Sequence, residues 1–309
     1  MNTPSNVMPE PSLGAQAITS PVARATRPLY WSIRRELWEN RSIYIAPLVV
    51  AAVFLFGFLL STVFRLPAII RGLPMMTPAK QRAEILTPYD FAAGVLMLTQ
   101  MLVGLFYSLD ALHGERRDRS ILFWKSLPVS DATTVLSKAA VPVIIVPLLA
   151  GVITVIVYVA MFVLSSAVVA GSGLSVDPMW VQLPLFQLSL GVLFHLVVVH
   201  GLWHAPFYGW FMLISGWARR AVILWASLPW LALIAFEKIV FNSSHVASLL
   251  IDRLAGDNMS MGTGSTAMDL GAHLAWARTL ISPGLWLGLL VTAGFLLVAA
   301  RLRRSRGPI

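Results

Sequence analysis

Long stretches without a charged residue are the feature that most constrains this sequence. Residues 43–64 form a stretch of 22 residues without a charge, and residues 178–218 form another of 41. About 20 consecutive apolar residues are enough for a helix to cross the hydrocarbon layer of a membrane. The sequence therefore predicts an all-α integral membrane protein.

Composition agrees with this class. Hydrophobic residues make up 57% of the 309 residues and charged residues only 12%, whereas about a quarter of the residues of soluble domains are charged. The chain has no cysteine, which excludes disulfides, thiolate metal sites and cysteine nucleophiles. The formal net charge is +9, but the cations cluster beside apolar stretches, where they act as topology determinants. No nucleic-acid partner is expected.

Six spans are predicted, over residues of about 43–64, 91–109, 139–170, 181–217, 221–240 and 283–300. The charge-free stretch of residues 178–218, which contains the fourth predicted span, is too long for one crossing and tight for two. Two crossings would place Arg219, Arg220 and the C-terminal arginines outside, against the preference of cytosolic loops for Lys and Arg. One long span, broken near Pro206, is therefore predicted, and both termini should be cytosolic. Pro142 and Pro147 should bend the third span.

The residues before the first span form two parts. Residues 1–29 are rich in Pro, Ser and Thr and are expected to be a disordered cytosolic tail. An amphipathic helix is predicted over residues 30–42, with an apolar stripe made of Tyr30, Ile33, Leu37 and Trp38. Arg34, Arg35 and Glu36 are placed around the remaining faces. Such a helix should lie flat on the inner leaflet, and residues 30–309 should form a single transmembrane domain.

The largest charged loop, residues 112–139, separates the second and third spans. It contains the apolar run Ile121, Leu122, Phe123 and Trp124, with Asp118 or Ser120 as possible N-caps and a stop at Leu127–Pro128. A second helix should begin at Ser130, a good N-cap.

The run predicts a short cytosolic helix whose aromatic side chains have no core of their own. Two interpretations remain open. The helix either binds a cytosolic partner or anchors the loop in the headgroup layer.

The loop also resembles a known family. The run Glu115-Arg116-Arg117-Asp118, then Ser120 to Trp124, then Ser126-Leu127-Pro128-Val129-Ser130 and Lys138, is similar to the cytoplasmic loop of ABC-2 type permeases, the membrane subunits of ABC transporters. In that family the loop carries a coupling helix that docks into a groove of the ATPase. The resemblance implies a separate ATPase subunit, a homodimer or heterodimer of permeases, and partner binding by Ser120, Ile121, Leu122, Phe123, Trp124 and Lys125.

The resemblance also implies short helices between the fifth and sixth spans that dip back into the outer leaflet. The alternative for residues 241–282 is a simple external loop. The family further implies a location in the cytoplasmic (inner) membrane.

The function expected from these features is that of a permease subunit of an ATP-driven exporter, with no catalytic residues, cofactor or metal of its own. No G-x-x-x-x-G-K-[ST] motif occurs, so ATP binding by a Walker motif is not expected. The alternatives are an ion-coupled secondary transporter, an intramembrane enzyme and a passive scaffold. The sequence contains no nucleophile and base at a usable spacing, so it does not support an enzyme.

Four ionisable residues within the predicted spans are candidates for lining the pathway: His195, His200, His204 and Glu237. His200 and His204 are four residues apart and share a helix face, a spacing that suits a metal, but no third ligand lies nearby in sequence. Hydrogen bonds to neighbouring helices or a wet cavity are expected instead. Glu237 is a candidate because ionisable groups in a membrane are costly; Lys238 follows it directly, so an interfacial carboxylate is the alternative.

Overall fold

The computed structural model describes residues 28–126, 129–255 and 279–309. Within these ranges the chain forms helices and no strand. The predictions for the N-terminal tail up to residue 27, for the stop at residues 127–128 and for residues 256–278 lie outside the described residues.

The helices follow one another along the chain with these bounds: α1 Pro28–Glu39, α2 Ser42–Gly72, α3 Pro78–Asp110, α4 His113–Arg117, α5 Ile121–Ser126, α6 Asp131–Ala140, α7 Val146–Gly171, α8 Asp177–Gln182, α9 Leu185–His195, α10 Ala205–Trp217, α11 Val222–Phe241, α12 His245–Ala255 and α13 Pro283–Ser305. Two π-helical segments interrupt this series: Val141–Ile145 joins α6 to α7, and Leu196–Trp203 follows α9.

Six helical segments in the described part of the chain are long and apolar enough to cross a membrane: Ser42–Met75, Pro78–Arg117, Asp131–Gly171, Leu185–Trp203, Val222–Phe241 and Pro283–Ser305. The prediction of an all-α membrane protein with six spans is confirmed. We number these segments spans 1 to 6. Span 4 continues into α10. The two helical segments meet at His204, two residues before Pro206, near which the sequence predicted the break.

Spans 1 and 2 are longer than their charge-free stretches. Helix α2 continues past Arg65 to Gly72, and α3 begins at Pro78, thirteen residues before the predicted start of span 2. Apolar residues such as Ile70 and Leu86 remain buried in the main core beyond the charge-free part. Absence of charge marks the part of a helix that can lie in lipid, and the helix itself continues beyond that part.

The main core lies between spans 1, 2 and 3 and the helices before the break in span 4. Tyr89 of α3 and Tyr158 of α7 meet edge to face there, with ring centroids 5.4 Å apart. Spans 1, 5 and 6 are mostly exposed in the structure, and their exposed side chains are largely apolar. Exposed apolar side chains on a membrane helix are expected, because lipid takes the place of a protein neighbour.

The two π-helical segments touch each other at Gly201. A Cβ added there would lie 2.4 Å from the carbonyl oxygen of Val143, too close for any residue except glycine. The π-helical winding, in which hydrogen bonds span five residues, occurs mostly as short interruptions near functional sites. The sequence predicted a bend from Pro142 and Pro147, and the structure places the first π-helical segment over Val141–Ile145.

Helix α13 connects the two ends of the bundle. At its C-terminal end, Arg303 bonds Asp131 in the first turn of α6. At its N-terminal end, a Cβ added to Gly284 would lie 3.5 Å from the ring of Trp203, beside the break in span 4. These two ends hold the two groups of polar residues described below.

Candidate functional site

The apolar run of the central loop forms α5, whose side chains differ sharply in exposure. Ile121 is only 1% exposed, whereas Leu122 is 59% and Phe123 60% exposed. Trp124 is half buried, because the guanidinium carbon of Arg35 lies 3.8 Å from its ring centroid. The expectation that the aromatic side chains have no core of their own agrees with the exposure of Phe123, but Trp124 is partly covered, and Ile121 of the same run is buried. The free apolar surface of α5 consists of Leu122 and Phe123.

Helix α5 is held close to α4 and to the C-terminal segment. The chain turns between the two helices at Arg119, whose φ of 58° lies in the left-handed region that non-glycine residues seldom adopt. Ser120 donates its hydroxyl to the carbonyl oxygen of Glu115 at 3.4 Å. Lys125 donates its ammonium to the carbonyl oxygen of Arg306 at 3.0 Å. Two of the residues predicted to bind a partner thus make contacts within the chain.

Behind α5 lies a buried carboxylate, Glu36 of α1, with no exposed surface. Its two oxygens lie 2.9 and 3.0 Å from Nζ of Lys138, and Nη2 of Arg35 lies 2.6 Å from Oε1. Tyr107 donates its phenolic hydrogen to Oε2 at 2.8 Å. Burial alone would raise the pKa of Glu36, but Lys138 and then Arg35 outweigh it, so this pKa lies below its ordinary value.

The same cations also approach Glu115 of α4. Its Oε1 lies 3.2 Å from Nζ of Lys138 and 3.5 Å from Nη2 of Arg35. Arg303 of α13 donates from Nη2 to Oε2 of Glu115 at 3.1 Å, and its Nη1 bonds Asp131 of α6. Three carboxylates and three cations therefore face one another. We call this set the charged network: Arg35, Glu36, Glu115, Asp131, Lys138 and Arg303.

The charged network also contacts α5. Arg35 belongs to the network through Glu36 and contacts α5 through Trp124. Removing one partner from a buried ion pair leaves an uncompensated charge and costs about 3–5 kcal/mol. Contacts therefore run from α5 through Arg35 to Glu36 of α1, and from Glu36 and Arg35 to α3, α4 and α6.

Sequence reasoning missed this network because of Glu36. The sequence placed Glu36 among the charged residues around the outside of the amphipathic helix, and that placement is wrong. A local signal existed: Glu36 follows Ile33 by three residues and directly precedes Leu37, so it borders the apolar stripe. Its partner Lys138 is 102 residues away, a distance that no local pattern spans.

The three histidines form a row along span 4. The ring centroids of His195 and His200 are 5.4 Å apart, and those of His200 and His204 are 5.1 Å apart. His195 and His200 are five residues apart in sequence and share a face because the intervening helix has π-helical winding. The spacing in sequence predicted a shared face for His200 and His204 alone.

His204 lies at the break itself and is 3% exposed. Its Nδ1 is 3.0 Å from the carbonyl oxygen of Val199, and its Nε2 is 3.0 Å from that of Leu254. Nδ1 of His200 is buried and has no hydrogen-bond partner among the described residues. Over the same residues, no three His, Cys, Asp or Glu side chains are grouped so that they could hold a metal ion.

Glu237, the fourth candidate pathway residue, caps α12. Ser243 donates its hydroxyl to Oε1 at 2.6 Å, and the backbone amides of His245 and Val246 donate to Oε1 at 2.6 Å and to Oε2 at 2.7 Å. A carboxylate at a helix N-terminus satisfies free amides and interacts well with the helix dipole. In this structure Glu237 therefore holds the turn between α11 and α12.

No protein-family model matches this sequence, and no curated protein matches it. The family implied by the central loop stays a prediction.

Proposed function

We propose that this chain is the membrane-spanning permease subunit of an ATP-driven exporter of the ABC-2 type, with its ATPase on a separate polypeptide. The sequence has no Walker motif, so the energy of ATP hydrolysis would enter through a partner. The ATPase would bind at α5. Two permease chains, identical or different, would enclose the pathway in the cytoplasmic (inner) membrane.

The observation that carries this proposal is that α5 combines an exposed apolar side with a firm connection to the spans. Leu122 and Phe123 offer apolar surface, and aromatic side chains seated in a partner's pocket are frequent binding hot spots. On the other side of α5, Trp124 stacks on Arg35 of the charged network. An interfacial anchor needs only an exposed apolar side, whereas a coupling element needs an exposed apolar side and a connection to the spans.

The distribution of cations supports a cytosolic position for α5. On the proposed topology, most lysines and arginines lie on the side that holds the N-terminus, the central loop and the C-terminus. Cytosolic loops of membrane proteins carry such an excess. Helices α1 and α5 would then lie on the cytosolic side, together with α4 and α6 at the cytosolic ends of spans 2 and 3.

Copurification tests the proposal. The affinity-tagged chain, expressed in its source cells and extracted in mild detergent, should bring down an ATPase that carries a Walker motif, in equal amount to the permease. ATP should then drive transport in vesicles reconstituted with both proteins. A chain that purifies from its own membrane without an ATPase would contradict the proposal.

The row of histidines favours a second candidate, an ion-coupled secondary transporter. Buried ionisable side chains within spans often mark proton or ion pathways, and His200 has an unpartnered ring nitrogen among the described residues. Under this alternative, a proton gradient would drive transport by the purified chain in the absence of ATP, and His200→Ala would abolish it. Under the ATP-driven proposal, a proton gradient alone has no effect.

A further inference from the structure

Arg253, near the end of α12, lies against span 6 and the break in span 4. Its Nη1 donates to the carbonyl oxygen of Gly284 at 2.9 Å, and its guanidinium carbon lies 4.2 Å from the ring centroid of Trp203. Trp203 in turn donates from Nε1 to the carbonyl oxygen of Arg253 at 3.1 Å. The guanidinium reaches Gly288, about 8 Å along α13 from Pro283 at a rise of about 1.5 Å per residue. It therefore lies beside a membrane span, at the end opposite the charged network.

The other two nitrogens of this guanidinium, Nε and Nη2, are buried and have no hydrogen-bond partner among the described residues. Nor does Arg253 form an ion pair with any Asp or Glu in those ranges. Nε and Nη2 form one edge of the planar group, the edge that donates two parallel hydrogen bonds to a carboxylate or phosphate. Arg253 as a whole is partly exposed, but these two donors are buried and unused, and the guanidinium has no counter-charge among the described residues.

The surroundings are shaped to hold the guanidinium in place. A Cβ added to Gly288 would lie 1.9 Å from Nη2, so α13 leaves space for the group by having no side chain at this position. The end of α12 is also fixed by Nε2 of His204, 3.0 Å from the carbonyl oxygen of Leu254. The immediate neighbours supply aromatic, imidazole and backbone groups.

We infer that the Nε–Nη2 edge of Arg253 binds an oxyanion, a phosphate or carboxylate group, at the membrane-embedded end of the bundle opposite the charged network. Two oxygens of the ligand accept from Nε and Nη2, while Nη1 stays bonded to Gly284. The edge is enclosed in this conformation, so the ligand exchanges when α12 moves away from α13. The inference is independent of the ATP-driven proposal, since binding to the purified chain requires neither an ATPase nor transport.

The same chemistry is carried by the headgroup of an anionic lipid and by a free soluble anion, and two probes distinguish these sources. The full chain is placed in phosphatidylcholine nanodiscs that contain a minor fraction of phosphatidylglycerol, and native mass spectrometry counts the phosphatidylglycerol retained. Separately, isotope-labelled inorganic phosphate is titrated into nanodiscs of phosphatidylcholine alone. Retention of the lipid identifies a headgroup site, and saturable phosphate binding identifies a site for a soluble anion.

Arg253→Lys is the decisive variant, because it keeps the charge and loses the two-donor edge. Affinity for the probe that binds should fall by about tenfold or more, the loss of one charge-assisted hydrogen bond. Arg71→Lys is the matched control, since Arg71 is an exposed arginine at the C-terminal end of α2, and it should bind as the wild type does. Binding of neither probe by the wild type, or equal binding by Arg253→Lys, overturns the inference.

A measurement on the wild-type chain keeps the test decisive if Arg253→Lys does not fold. Amide hydrogen exchange in His245–Ala255 should slow when the nanodisc contains phosphatidylglycerol or when phosphate is added, because the ligand fixes the end of α12. Unchanged exchange with both probes overturns the inference.

Discussion

Nζ of Lys138 lies 2.9 Å from Oε1 and 3.0 Å from Oε2 of Glu36, so the first turns of span 3 are tied to the helix that precedes span 1. Both side chains are buried, and 102 residues separate them in sequence. The pair lies directly behind Arg35, the residue on which Trp124 stacks. Arg35 therefore contacts both the buried pair and α5.

Replacing Lys138 by Met should destabilise the protein by about 3–5 kcal/mol, because two buried carboxylates lose their shared cation. Thermal unfolding in detergent, followed by circular dichroism, measures the loss. Lys80→Met serves as control: Lys80 is exposed on α3, and its replacement should change the free energy of unfolding by about 0.5 kcal/mol or less. Equal losses in the two variants would show that Lys138 is not part of a buried network.

The low pKa of Glu36 predicts a pH dependence of stability. A carboxyl group whose pKa is lower in the folded than in the unfolded state stabilises the fold above its unfolded value, near 4.5, and loses this contribution as the pH falls through the folded value. The wild type should therefore lose stability more steeply than Glu36→Gln as the pH is lowered below about 4.5. Unfolding temperatures measured across this range test the prediction.

Glu39 supplies a control of opposite sign, because burial raises its pKa. Its contribution is present at low pH and is lost as the pH rises through the raised folded value. Glu39→Gln should therefore alter the pH profile in the opposite direction to Glu36→Gln. Identical profiles for both variants would contradict the electrostatic account of α1.

Helix α12 should loosen when its carboxylate cap is weakened. Glu237→Gln keeps the shape of the side chain but removes its negative charge and one of the two oxygens that accept hydrogen bonds from Ser243, His245 and Val246. Amide exchange over His245–Ala255 should become faster. Lys238→Gln, a change at the exposed neighbouring residue, should leave exchange unchanged; faster exchange in both variants would point to a general effect on α11.

The proposed topology predicts which residues an impermeant thiol reagent can reach. The chain has no cysteine, so single replacements report unambiguously. Ser126→Cys and Ser305→Cys should be protected in intact cells and react after permeabilisation. Met75→Cys, at a position 95% exposed between α2 and α3, should react without permeabilisation. Labelling of Ser126→Cys in intact cells would show that the orientation is opposite to the one proposed.

The six spans and α5 could be predicted from sequence because the properties that define them are local. A span needs about 20 apolar residues, and the apolar run from Ile121 to Trp124 stands alone between charged residues. The N-cap at Ser130 was predictable for the same reason, and the structure shows its hydroxyl accepting from the amide of Thr133 at 3.0 Å.

The contacts behind these elements could not be predicted, because they join distant parts of the chain. Arg303 meets Glu115 across 188 residues, and Trp203 meets Arg253 across 50. The π-helical winding that aligns His195 with His200 contains the close approach of Gly201 to Val143, another contact between distant parts of the chain. Apolar patterns therefore predicted the helices, but not which charged side chains are buried between them.

Copurification of the ATPase with the Phe123→Ala variant tests the proposed function most directly. Truncating an aromatic hot spot costs about 2 kcal/mol or more, which corresponds to roughly a thirtyfold loss of affinity. The matched control is Phe241→Ala, since Phe241 is similarly exposed at the C-terminal end of α11. We expect the wild type and Phe241→Ala to retain a stoichiometric ATPase, and Phe123→Ala to lose it while inserting normally into the membrane. Full retention of the ATPase by Phe123→Ala would contradict the role of α5 as the coupling element.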